Sequence, residues 1–125
     1  LFPYTTLFRS DALINLGNSS ILAIGNQPLG QGWKIELGSP NFSTTIDKSI
    51  ILKNETLTTS GNKRAKQRHI KHPITNQWIT GIREVSVVTS TGKEGEALST
   101  ALFVATEQER LKILANFSFP YFIVK

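Results

Sequence analysis

The chain alternates short apolar runs with turn-forming clusters over its first two thirds, then changes period near its end. "ALINLG" (12–17) and "SILAIG" (20–25) are apolar runs closed by Gly. Asn18 and Ser19 stand between them, which predicts a hairpin. "NQPLGQG" (26–32) reads as a loop, and "WKIEL" (33–37) alternates as a half-buried strand does. After a turn at "GSPN" (38–41), the β-branched runs "KSIILK" (48–53) and "ETLTTS" (55–60) flank a turn at Asn54. "GNKRAKQR" (61–68) is a basic loop. "HIKHPITNQWITG" (69–81), with Pro73 and Gly81, is expected to be mostly irregular. "REVSVVTS" (83–90) alternates again and predicts a core-facing strand.

Residues 92–105 then follow a helical period, starting near Glu94. Ala97, Leu98, Ala101, Leu102 and Ala105 form the expected buried stripe. A second helix over 106–117 opens with the Thr106/Glu109 spacing of a capping box, and Leu111 and Leu114 mark its inner face. "YFIVK" (121–125) closes the chain as a strand. Strands and helices are segregated. The expected fold is therefore α+β, an antiparallel or mixed sheet with two consecutive C-terminal helices.

Composition changes this picture little. The 125 residues, 39% hydrophobic and 18% charged, suffice for one domain with a core. No apolar run reaches the roughly 18 residues of a membrane span. The absence of Cys excludes disulfides and thiolate metal sites. The formal charge of +5 is concentrated, because Lys63, Arg64, Lys66, Arg68 and Lys71 crowd one stretch, which points to an anion nearby. The opening "LFPYTTLFRS" reads as the translation of a common sequencing adapter. Residues 1–10 are therefore expected to be a scar rather than native sequence.

Three polar groups interrupt the first helix. Glu96, Ser99 and Thr100 stand at i, i+3 and i+4, hence on one helical surface. Such oxygen donors suit Mg²⁺, which takes one or two carboxylates and fills its shell with water and phosphate. A first-turn Glu also suits the helix dipole, and helical Ser and Thr often bond back to a carbonyl. His69 and His72 are candidate general bases near neutral pH. Ser60 and Gly61, at a strand end, could present a hydroxyl and an N–H to phosphate.

The ordered stretches "ALINLGNSSILAIG" (12–25), "GWKIEL" (32–37), "TTSGN" (58–62), "HIKHPIT" (69–75), "VSVVTS" (85–90) and "EALSTALFV" (96–104) resemble the C-terminal part of the ApbE family, the FAD:protein FMN transferases. The likeness spans residues 11–125 but only the last third to half of a family member. The resemblance implies Mg²⁺-dependent transfer of FMN from FAD to a Ser or Thr hydroxyl of a flavoprotein, with release of AMP. It implies metal ligation by Glu96 and Thr100, with Ser99 as a third ligand. It makes His69 the catalytic candidate and sets Ser60, Gly61 and Ile70 against the nucleotide. It further implies FAD and an acceptor flavoprotein as partners, and work outside the cytoplasmic membrane, often as a lipoprotein; no nucleic acid partner is expected.

The sequence departs from the family where Glu96 replaces a frequent Asp, His72 replaces the Asp of the His69 motif, and Asn76 replaces its closing Gly. The segment between Gly61 and His69 is shorter than usual. A missing N-terminal portion would leave this chain alone unable to catalyse transfer. The competing activities are hydrolysis of FAD to FMN and AMP at the same site, or a non-catalytic anion- or nucleic-acid-binding module at residues 62–72. The latter lacks an aromatic residue within its basic run for base stacking.

Overall fold

The computed structural model describes residues 10–17, 19–37, 49–62, 69–81 and 84–124. The expected turn at 38–41, most of the basic loop and all but Ser10 of the first ten residues lie outside them. The strands are β1 (Ala12–Leu16), β2 (Ser20–Ile24), β3 (Trp33–Glu36), β4 (Ser49–Leu52), β5 (Glu55–Gly61), β6 (Glu84–Thr89) and β7 (Tyr121–Val124). The helices are α1 (Gly92–Val104) and α2 (Glu107–Asn116). Among the described residues β1-β2-β5-β6-β7 form one sheet and β3-β4 a second, with every strand pairing antiparallel. The α+β expectation holds.

The larger sheet is covered on both faces at its centre. Register sets Ser20 opposite Thr58, Thr58 opposite Val87, and Val87 opposite Tyr121, so these residues share one face. On that face Val85 and Val87 pack with Leu102 and Phe103 of α1. On the other, Val88, Leu57 and Ala23 pack with Ile35 and Leu52 of the smaller sheet. Trp33 Nε1 donates to the Ile24 carbonyl at 2.9 Å, tying the sheets together. With this double cover β6 faces the core, as expected, and Val85 to Thr89 are all buried.

Helix α1 begins at Gly92, two residues before the expected start near Glu94. Thr91 caps it, its hydroxyl accepting from the Glu94 N–H at 3.3 Å. Its buried line is Gly95, Ser99, Leu102 and Phe103, a correction to the expected stripe. Ala97 is exposed and Leu98 and Ala101 only half-buried, whereas Leu102 and the cap residue Ala105 are buried as expected.

Helix α2 carries the expected capping box in full. Its inner face is Ile113 and Leu114, while Leu111 is 65% exposed, correcting that assignment. The Thr106 backbone N–H donates to Glu109 Oε2 at 2.7 Å. This bond, then one from the Thr106 side chain and lastly His72, hold the Glu109 carboxyl below its ordinary 4.5, against the opposing effect of desolvation. A depressed folded value means stabilisation present above 4.5 and lost as pH falls through the lower folded value. Wild type should therefore melt above Glu109→Gln at about pH 6, and the gap should narrow as pH falls below 4.5. Circular dichroism melts of both proteins check this.

Residues 69–81 are irregular, as expected, apart from a single bridge between Lys71 and Trp78. They close like a small hairpin. Ile79 N donates to Ile70 O at 3.0 Å and His72 N to Gln77 O at 2.9 Å. Lys71 Nζ lies 4.5 Å from the Trp78 ring centroid. At the base, Ile70 and Ile79 pack against the Leu102–Phe103 cluster, which docks the loop beside α1.

Candidate functional site

The site grows from the way α1 meets the sheet. Under its first half the strands present hydroxyls rather than hydrocarbon: Thr56, Thr58 and Ser60 of β5 and Thr89 of β6, all buried. Gly95 comes so close that a β-carbon there would fall within contact distance of Thr58 and Thr89. This approach sets Ser99 on the sheet with its side chain wholly buried. Ser99 Oγ lies 2.8 Å from Ser60 Oγ, and Ser60 Oγ lies 3.0 Å from Thr100 Oγ1. A hydroxyl both donates and accepts, so Ser60 bridges the two helix residues.

Glu96 stands one turn before Thr100, exposed like it at the rim of the helix. Its Oε1 accepts a 2.7 Å hydrogen bond from Ser20 Oγ of β2. Thus Ser20 and Ser60, on adjacent strands β2 and β5, each hold one of two oxygen-bearing residues at i and i+4. The helix places Glu96, Ser99 and Thr100 together, as their spacing predicts. It also separates their roles, since the Ser99 hydroxyl is turned inward to Ser60. Ser20 is a residue that sequence reasoning missed. It lies 76 positions from Glu96, and nothing local to either residue signals the contact.

The donor set at the rim is one carboxylate and one hydroxyl, all hard oxygen. Among the described residues no three of His, Cys, Asp and Glu converge. A carboxylate and a hydroxyl of this kind are donors that a hard cation such as Mg²⁺ can take alongside water and an anionic ligand.

His69 is exposed at the head of the 69–81 loop. Ile70 beside it is half-buried against the Leu102–Phe103 cluster, and Gly61 is half-buried at the end of β5. Asn62 Nδ2 donates to the Ile79 carbonyl at 3.3 Å, joining the β5 end to the loop. His72 takes a structural position. Its Nδ1 accepts from the N–H groups of Ile74 and Thr75 at 3.2 and 3.3 Å, as a turn-capping carboxylate would. That leaves Nε2 facing Glu109 Oε2 at 3.5 Å, so the loop also leans on the start of α2. Asn76 adopts φ +57, a left-handed conformation that Asn tolerates where Gly is otherwise used. Both departures from the motif around His69 thus have local physical solutions.

The chain belongs to the ApbE family, whose model matches residues 8–122. No curated protein matches it by sequence. Its fold is similar to that of the flavinyl transferase ApbE of Pseudomonas stutzeri, with a TM-score of 0.75, 23% identity, and coverage of 91% of this chain and 37% of that one. It is also similar to the flavin transferase ApbE of Vibrio cholerae, with a TM-score of 0.71, 21% identity, and coverage of 89% and 37%. The chain therefore spans little more than a third of either protein.

Proposed function

We propose that this chain is the C-terminal, diphosphate-facing part of an FAD:protein FMN transferase. The observation that carries the reading is the Glu96–Thr100 pair, held from the sheet side at 2.7 and 3.0 Å, in a chain of the ApbE family. In the proposed reaction an acceptor Ser or Thr oxygen bonds to the FMN phosphorus. The bond from that phosphorus to the bridging oxygen breaks, and AMP leaves with the bridging oxygen. His69 is assigned the acceptor's hydroxyl proton or the orientation of the phosphates. Glu96 and Thr100 would hold Mg²⁺, with Ser99 acting through Ser60. When bound, the ion supplies charge neutralisation at the diphosphate. Gly61 and Ile70 are assigned to the nucleotide, Gly61 through its backbone and Ile70 as an apolar contact.

Since the chain spans 37% of its structural relatives, the purified chain alone is expected not to release AMP from FAD. The decisive test restores the remainder. A chimera of the Pseudomonas stutzeri protein would carry residues 11–122 in place of the superposed part. It is expected to produce AMP and a covalently flavinylated acceptor only when Mg²⁺ is added. Free FMN without labelled acceptor would instead establish hydrolysis. A folded chimera giving neither product would overturn the reading.

A further inference from the structure

We propose that Ser20 is a positioning residue that holds Glu96 ready for a divalent cation; this rests on the metal reading above. Glu96 is exposed, and a free Glu side chain on a helix surface samples several rotamers. Any cation site using it must first suppress that freedom.

Ser20 is suited to this task because its own position is not free. It pairs with Leu16 in one register and with Thr58 in the other, so β1 and β5 clamp its backbone from both sides. Thr59 N donates to the neighbouring Ser19 carbonyl at 2.8 Å. From this fixed point the Ser20 hydroxyl gives its one proton to Glu96 Oε1 at 2.7 Å, a charge-assisted bond. The bond draws the carboxylate toward β2. It occupies one acceptor direction and leaves Oε2, with the other lone pairs, for a cation. Thr100, one turn on, is restrained in the same way by Ser60 at 3.0 Å. The cation-facing oxygens of α1 are thus both set by the sheet, from strands β2 and β5.

The test uses the purified 125-residue chain and Mn²⁺ as the probe. Without metal, side-chain coupling constants from NMR should show Glu96 in one rotamer in wild type and in Ser20→Thr, which keeps the hydroxyl. Ser20→Ala should show rotamer averaging with an unchanged fold by circular dichroism. In a Mn²⁺ titration followed by EPR, Ser20→Ala should bind roughly tenfold more weakly, and Ser20→Thr should restore most of the affinity. Ser20→Ala should add nothing in a Glu96→Gln background. An unchanged Glu96 rotamer in Ser20→Ala, or unchanged Mn²⁺ affinity, overturns the role of Ser20. A chimera with Glu96 ordered but no Mn²⁺ uptake in the presence of FAD overturns the metal reading beneath it.

Discussion

Replacing Glu96 with Gln in the chimera is expected to lower flavin transfer on the order of a hundredfold or more, because a lost carboxylate ligand forfeits several kcal/mol of charge stabilisation. The fold should hardly notice. Glu96 is exposed, and the Gln amide oxygen can still accept from Ser20, so stability should stay within about 0.5 kcal/mol. The change therefore separates charge from shape. Thr100→Ala should have a smaller effect, since water can fill a position that a neutral hydroxyl vacates. The measurements are flavin fluorescence of the acceptor after denaturing electrophoresis, with urea melts as the control. Retention of transfer by Glu96→Gln would remove the carboxylate from the metal site. A non-catalytic binding module at residues 62–72 predicts instead no transfer at all, with anion binding that tolerates Glu96→Gln and falls steeply with salt.

Local chemistry made much of this molecule legible. The T-x-x-E spacing at Thr106 and Glu109 specifies a capping box, and it forms with both reciprocal bonds. Asn54 takes φ +54 between β4 and β5, at the expected turn. The paired strands follow from β-branched runs between turn signals. What stayed hidden depended on partners. Apolar periodicity assigned Ala97, Leu98 and Ala101 to the buried side of α1, but the sheet beneath its first half offers Thr56, Thr58, Ser60 and Thr89. A hydroxyl-lined floor is met by small or polar residues, so Gly95 and Ser99 face it, and the helix turns accordingly. The helix starts at Gly92 rather than near Glu94 because the cap at Thr91 outweighs the low helix propensity of that glycine. Even so, i and i+4 oxygens on one helix surface were readable without knowing how the helix sat, because that relation is internal to it.

That same close seating makes Gly95 the most sensitive position in the site. Gly95→Ala gains about 1 kcal/mol of helix propensity. Against this, its β-carbon would lie about 2.9 Å from Thr89 Oγ1 and nearer still to the Thr58 hydroxyl. Thr58 is wholly buried on a central strand and cannot swing aside. Overpacking of this kind costs about 1–3 kcal/mol, so Ala should be net destabilising and Val, with two further methyl groups, should lose about 3 kcal/mol or more. The loss should reach the site, because lifting α1 lengthens the 2.8 Å Ser60–Ser99 and 3.0 Å Ser60–Thr100 contacts together. Thr58→Ala supplies the compensating test. Thr58 Oγ1 is buried without a hydrogen-bond partner among the described residues, so removing it breaks none of their bonds while opening space beneath residue 95. Combined with Gly95→Ala it should recover part of the lost stability, the 2.9 Å approaches to Thr58 Cβ and Thr89 Oγ1 remaining, and a double-mutant cycle in urea measures this coupling directly. Additive losses would mean that α1 is set by Leu102 and Phe103 alone, and that its hydroxyl-lined half merely follows.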